Sequence, residues 1–389
     1  MGGPVDILIF AIEAGRYGPA RLPQNLESVG LRVATLCPVD NVLAHTDHVQ
    51  TAYHLPPTRN AARLARALTE VVAECQPRLV IPADEQAVVL LHGFIGGGCG
   101  AVIGADVRAL LLRSLGPADR LAPMLFKSRT LALARSIGVR VPEGATVATA
   151  AQARAVAEGL PMPAYVKQSF GWAGQGVTRC DTPEAAAAAF IACHPPVGRV
   201  KSAVRRLLGR DWYPDTSEVD VQAGVVGRPA MICALAWGGR MVGSFAGETL
   251  RTISATGPST EVRIGPHPAM SEASGRMIAA LGCTGWIGFD FMIEAATGAP
   301  VLIECNPRPI QIGHLGYRIG VDLSAALAAL LRGGAVPDVP LAARETLDIL
   351  LFPHALDPMA LRAGVLADMP MTDAGLMRYG AGLARGAGA

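Results

Sequence analysis

Apolar and polar positions alternate with two periods along the first part of the chain. Residues 5–12 (VDILIFAI) are a short apolar run suited to a buried parallel strand. A loop with Gly15, Gly18 and Pro19 follows, then a helical stretch ending near Gly30 and a second strand from Leu31 to Leu36. Residues 58–75 carry a helical pattern, and Leu79-Val80-Ile81-Pro82 ends a third strand with Asp84 and Glu85 at its C-terminal edge. This alternation predicts an open parallel α/β sheet, in which ligands bind at the carboxyl ends of strands. The first loop lacks GxGxxG, so no dinucleotide site is predicted.

A boundary falls near Gly116-Pro117-Ala118-Asp119. Lys127 to Ile137 then reads as a helix stopped by Gly138, and residues 146–158 as an alanine-rich helix. Ala164-Tyr165-Val166-Lys167 is a strand running into a glycine loop, Ser169 to Val177, before a helix at 183–193. The basic stretch Arg199 to Arg210 reads as a solvated helix or an excursion on a lid. Residues 218–226, 231–237 and 240–247 have the pattern of antiparallel strands joined by glycine turns. A helix at 269–281 leads to two strands, Trp286 to Ile293 and Pro300 to Glu304, joined at Ala296-Thr297-Gly298. From about residue 321 come a helix, a proline-rich connection and a tail rich in Gly and Ala that is expected to fray.

Composition narrows the class. The chain has 389 residues, 51% hydrophobic and 17% charged, with mean hydropathy +0.34. That is apolar for a soluble protein and argues against disorder. The longest charge-free run, Gln86 to Ala105, would just span a bilayer, but Gly96-Gly97-Gly98 makes a poor helix centre. It reads instead as a buried helix, a glycine turn and a second short element. No basic segment of signal-peptide type opens the chain. Lys+Arg 34 against Asp+Glu 32 gives +2, so no nucleic-acid partner is expected. Eight cysteines include no CxxC pair, which favours reduced thiols over zinc or disulfides. The expectation is a soluble cytoplasmic multi-domain enzyme with no membrane partner.

Three groups of residues carry chemistry. Asp290 lies on one predicted strand and Glu304-Cys305-Asn306-Pro307-Arg308 on the next. Strand alternation gives Glu304, Asn306 and Arg308 a common face, with Asp290 beside them if the register allows. Two carboxylates and an amide oxygen form a hard oxygen site suited to Mg²⁺ holding nucleotide phosphates. Arg308 is placed to carry charge to a transferring phosphoryl group. Lys167 precedes Gly171, Gly174 and Gly176, a loop able to bring backbone N–H groups to phosphates. Lys127 stands at a helix start. Each motif alone has an ordinary structural reading.

In this order and spacing the motifs resemble the ATP-grasp superfamily of carboxylate–amine ligase type, over roughly residues 1–335. The resemblance implies a Rossmann-like pre-ATP-grasp domain at 1–118 and a two-lobed ATP-grasp domain at 119–335, its lid lobe about 145–225. A C-terminal tail subdomain spans 336–389. It further implies that Lys127 and Lys167 contact ATP phosphates and that the glycine lid excludes water. Gln222, Ala223 and Val225 would form the hinge beside adenine. Asp290, Glu304 and Asn306 would hold Mg²⁺ or Mn²⁺, and Arg308 would face the reacting carboxylate or phosphoryl group. Many family members carry an acid in the hinge or its turn; here Gln222 and Arg228-Pro229 stand there, which leaves the ribose contact unassigned.

The reaction implied is activation of a small-molecule carboxylate as an acylphosphate for attack by an amine or amino acid, in a homodimer. Carboxylase or carbamoyl-phosphate chemistry and a non-catalytic ATP-binding module are the alternatives. Arg251 is a candidate for binding a substrate carboxylate. His314 reads as structural, and Cys305 as a core residue between two ligands.

Overall fold

The computed structural model describes residues 3–14, 17–97, 99–170, 176–194, 204–205, 207–210, 212, 218–254 and 257–386. The fold is mixed α/β, with three sheets among the described residues. The first holds β1 (Ile7–Phe10), β2 (Val33–Cys37), β3 (Thr51–His54) and β4 (Leu79–Pro82), all parallel, in the order β3-β2-β1-β4. Strands β1, β2 and β4 are buried on both faces, as their continuous apolar runs require. Strand β3 was not evident in the sequence because Thr51, Ala52 and Tyr53 are only half-buried at the sheet edge. Asp84 caps the helix Glu85–Gly96 through Ala87 N–H, and its other oxygen accepts Ile12 N–H at 2.7 Å and Glu13 N–H at 3.0 Å. One carboxylate thereby joins the carboxyl ends of β1 and β4. The charge-free run divides as expected: the helix stops at Gly97 (φ 72°), and another begins at Ala105. Among the described residues no helix is long and apolar enough to cross a membrane.

The second sheet contains β5 (Gly144–Val147), β6 (Ala164–Gln168), β7 (Val177–Cys180) and β8 (Val219–Ala223), antiparallel in the order β5-β8-β6-β7. The helices Ala150–Glu158 and Pro183–Cys193 cover it, and together they enclose a small core of Val166, Val219, Val221, Phe190 and alanines. Residues 224–226 lead directly into the third sheet.

The third sheet is the largest: β9 (Gly227–Trp237), β10 (Arg240–Thr252), β11 (Ser259–Gly265), β12 (Gly285–Glu294), β13 (Pro300–Asn306), β14 (Leu341–Ala342), β15 (Leu347–Leu350) and β16 (Leu366–Ala367). Its order is β13-β12-β9-β10-β11-β15-β16, with β14 on β10. Leu235, Phe245, Ile264 and Trp286 from this sheet share one core with Ile7, Val33 and Leu79 of the parallel sheet. The two sheets are therefore packed together by hydrophobic burial rather than linked loosely.

The tail differs from its expected frayed state. Ala374–Gly386 is a helix whose Leu376 is buried. Asp373 accepts Thr46 Oγ1–H at 2.5 Å and the N–H groups of Asp47 and Leu376, and Tyr379 stacks on His45 at 4.6 Å. These anchors outweigh the tail's weak sequence pattern.

Candidate active site

The β12–β13 hairpin sets the register of the acidic cluster. Phe289, Phe291 and Ile293 alternate into the core, leaving Asp290 on the opposite face. A register shift after Asp290 skips Ile303 and brings Glu304 directly across from Asp290. Asn306, paired with Gly288, donates from Nδ2 to Asp290 Oδ2 at 3.1 Å. Burial, reinforced by the facing charge of Glu304, pushes the Asp290 carboxyl up to about 7. Cys305 is buried in the core on the other face, its thiol pushed up by the same burial.

Toward the second sheet the cluster meets two lysines. Lys127 begins the helix Lys127–Ser136, is buried, and places Nζ 2.9 Å from Glu304 Oε1. Its backbone N–H donates to Ser169 O at 2.7 Å, and Ser128 N–H to Ser169 Oγ at 3.1 Å. These bonds tie the helix to the end of β6. Lys167 lies on β6 across from Asp220 on β8. Burial lowers its ammonium to about 8, and Lys127 pushes the same way against the pull of Glu304 and Asp220. Gly176 closes the glycine loop with φ 72°, where a Cβ would lie 2.6 Å from Gln168 Oε1. Gly171 and Gly174 lie outside the described residues, as does Trp172. Gln222 is buried on β8 with Oε1 unbonded, Ala223 ends that strand, and Val225 belongs to the link between the sheets.

On the other side of the cluster is a cavity of about 670 Å³. Asp290, Glu304, Asn306 and Arg308 line it, whereas Lys127, Lys167 and the second sheet do not. Arg308 is buried and ion-paired with Glu85, and its Nη2 donates to Asn306 Oδ1 at 3.3 Å. Glu85 opens the helix that follows β4, so the carboxyl end of the parallel sheet reaches the acidic cluster through Arg308. The loop after β1 supplies Glu13, Tyr17 and Arg21. A close approach makes this possible: a Cβ on Gly18 would lie 2.5 Å from Gln311 Cα. The C-terminal part adds Phe352, Pro353, His354 and Asp368. Tyr17 packs edge-on to Phe352 at 5.3 Å, and Asp368 holds Arg21 at 2.8 Å and His314 at 3.0 Å.

The structure thus brings Lys127, Asp290, Glu304, Asn306 and Arg308 into one network. Arg251 is not part of it. β10 runs on to Thr252, with a register shift between Thr249 and Arg251. Thr249 lines the cavity, while the exposed Arg251 lies 3.6 Å from Glu261, which Arg362 also holds. Glu85, Tyr17, Arg21 and Asp368 were not anticipated as site residues. Only Glu85 had a signal, its place at the carboxyl edge of a strand.

No family model matches the chain, and no curated protein matches it in sequence. Solved structures do match in fold. The biotin carboxylase domain of Hydrogenobacter thermophilus 2-oxoglutarate carboxylase, a complex with MgADP, ADP and bicarbonate, is 13% identical with a TM-score of 0.61, covering 88% of this chain and 73% of that one. L-amino acid ligase from Bacillus licheniformis is 15% identical, TM-score 0.58, over 88% and 79% of the two chains. N5-carboxyaminoimidazole synthetase from Staphylococcus aureus, complexed with ADP, is 14% identical, TM-score 0.58, over 89% and 82%. The chain has the ATP-grasp fold.

Proposed function

We propose that the chain is an ATP-dependent ligase that activates a small-molecule carboxylate as an acylphosphate and passes it to an amine, giving an amide or peptide-like bond, ADP and phosphate. The observation that carries this reading is the position of Asp290, Glu304 and Asn306, with two lysines on one side and a cavity on the other. In this reading the parallel sheet belongs to a Rossmann-like domain at 1–118. The second and third sheets are the two lobes of a grasp at 119–335, and 336–389 is a tail subdomain. The chain is further read as a cytoplasmic homodimer.

The donor set fits a hard divalent cation: two facing carboxylates, one with its carboxyl pushed up by burial and by the charge of the other, and an amide oxygen. Mg²⁺ or Mn²⁺ held by Asp290, Glu304 and Asn306 would neutralise phosphate charge during transfer. Lys127 and Lys167 supply positive charge for the phosphates of ATP, with Gln222, Ala223 and Val225 beside the base. Arg308, fixed by Glu85 and Asn306, keeps its guanidinium where the cavity meets the acidic cluster. A preorganised charge there stabilises a developing anion without reorganising at the moment of reaction. In the same reading the lid residues Gly171, Gly174 and Gly176 would cover the phosphates and keep water from the acylphosphate.

Phosphate release with ATP and Mg²⁺, measured across L-amino acids singly and in pairs, tests the reading. Release that requires an acid and an amine together supports it. Release that depends on bicarbonate alone assigns the chain to carboxylase chemistry, for which the similar 2-oxoglutarate carboxylase domain is named. Nucleotide binding without release under any pairing makes it a regulatory module.

A further inference from the structure

His314 occupies an unusual place in the cavity wall. Its side chain is 3% exposed, and Nε2 lies 3.0 Å from both carboxylate oxygens of Asp368. Asp368 also receives Arg21 Nη2 at 2.8 Å and Phe352 N–H at 3.5 Å. The arginine and the imidazole hold this carboxyl well below the usual carboxylate range. An ionised carboxylate only accepts hydrogen bonds, so the proton of the imidazole sits on Nε2 and the lone pair on Nδ1. That Nδ1 is buried and makes no hydrogen bond. Native folds rarely leave a buried acceptor unmatched, and His314 lines the cavity.

We infer that His314 is the proton acceptor for the amine nucleophile, with Asp368 and Arg21 as its positioning residues. The inference rests on the ligase reading. It replaces the structural role expected from the sequence. The amine nitrogen uses its lone pair to form the C–N bond; the acyl carbon–oxygen bond breaks, and that pair leaves with phosphate. The nitrogen becomes positively charged and acidic as this happens, and its proton moves to Nδ1. Asp368 stabilises the imidazolium, which returns the proton to solvent after the amide departs. The charged groups around the imidazole are Asp368, Arg21 and Arg318. Burial, helped by the two arginines against Asp368, holds the imidazole below its ordinary range, which keeps the accepting form populated at neutral pH.

The test uses the full chain with ATP, Mg²⁺ and an equimolar mixture of the standard L-amino acids, with and without hydroxylamine. Dipeptides report attack by ordinary amines. Hydroxamates report capture of the acylphosphate by a nucleophile largely unprotonated at neutral pH. A general base contributes about 10²–10⁴-fold, so His314→Gln should lower the dipeptide-to-hydroxamate ratio about 100-fold. Asp368→Asn should lower it in the same direction. Wild-type dipeptide formation should lose rate on the acid side as His314 protonates, and hydroxamate formation should not. A ratio that stays within about threefold of wild type overturns the inference, whether both products persist or both decline. If His314→Gln does not fold, an identical acid limb for both products in the wild type overturns it. Absence of both products from the wild type sinks the ligase reading itself, and the inference with it.

Discussion

On the side of Asp290 and Glu304 that faces the second sheet, Lys127 and Lys167 sit close enough to repel one another, and burial drives Lys167 down to about 8. On the cavity side the cations are already answered: Arg308 by Glu85, and Arg21 by Asp368. The difference is chemical. On the lysine side two cations are packed together against Glu304 and Asp220, the arrangement that the proposed polyphosphate site would use. On the cavity side each of these arginines is already ion-paired with a carboxylate. The acidic cluster divides the two and belongs electrostatically to both.

The largest effect is expected at that divide. Glu304→Ala removes the partner of Lys127 and one of two facing carboxylates; Asn306→Ala removes the amide that bridges Asp290 and Arg308. Either should reduce Mg²⁺-dependent ADP formation by about 10³-fold or more, with circular dichroism unchanged. Near-normal turnover in either variant would mean that the cluster is not where the two sides meet.

The lysine side and the cluster were legible in the sequence because their signals are local. Asp290, Glu304, Asn306 and Arg308 lie on one hairpin, whose alternation can be read directly. Lys127 and Lys167 begin or end elements with clear boundaries. The cavity side was not legible, since its pairs join distant positions: Glu85 and Arg308 are 223 residues apart, Arg21 and Asp368 are 347 apart. The strand read at 240–247 in fact runs on to Thr252, past an irregularity after Thr249 that is invisible without its partner strand. The two-residue strands β14 and β16 are too short to leave a periodic trace.

The next effect tests the ion pairing on the cavity side. Arg308→Ala leaves Glu85 buried without its ion-pair partner, and breaking such a pair from one end costs about 3 kcal/mol. Equilibrium urea denaturation should record that loss. The double variant Arg308→Ala/Glu85→Ala should recover part of it by removing the stranded carboxylate. A single-variant cost under about 1 kcal/mol would show that the pair is not what neutralises this side.

The smallest effect has the opposite sign and belongs to the lysine side. Lys167 has its folded value lowered from 10.5 to about 8, so between those values the unfolded chain binds more protons and stability rises with pH. Below about 8 both states are charged, and the full penalty of burying the ammonium is present. Lys167→Met should therefore stabilise the nucleotide-free protein at neutral pH, by about 2 kcal/mol once partial exposure is allowed for. The gain should shrink through this window and vanish above 10.5, where the lysine is neutral in both states. The same variant should weaken ATP binding about tenfold or more by calorimetry, because the charge that destabilises the empty site is the one that meets phosphate. A stabilisation that does not change with pH would assign the effect to packing, and the lysine side would then be no different in kind from the cavity side.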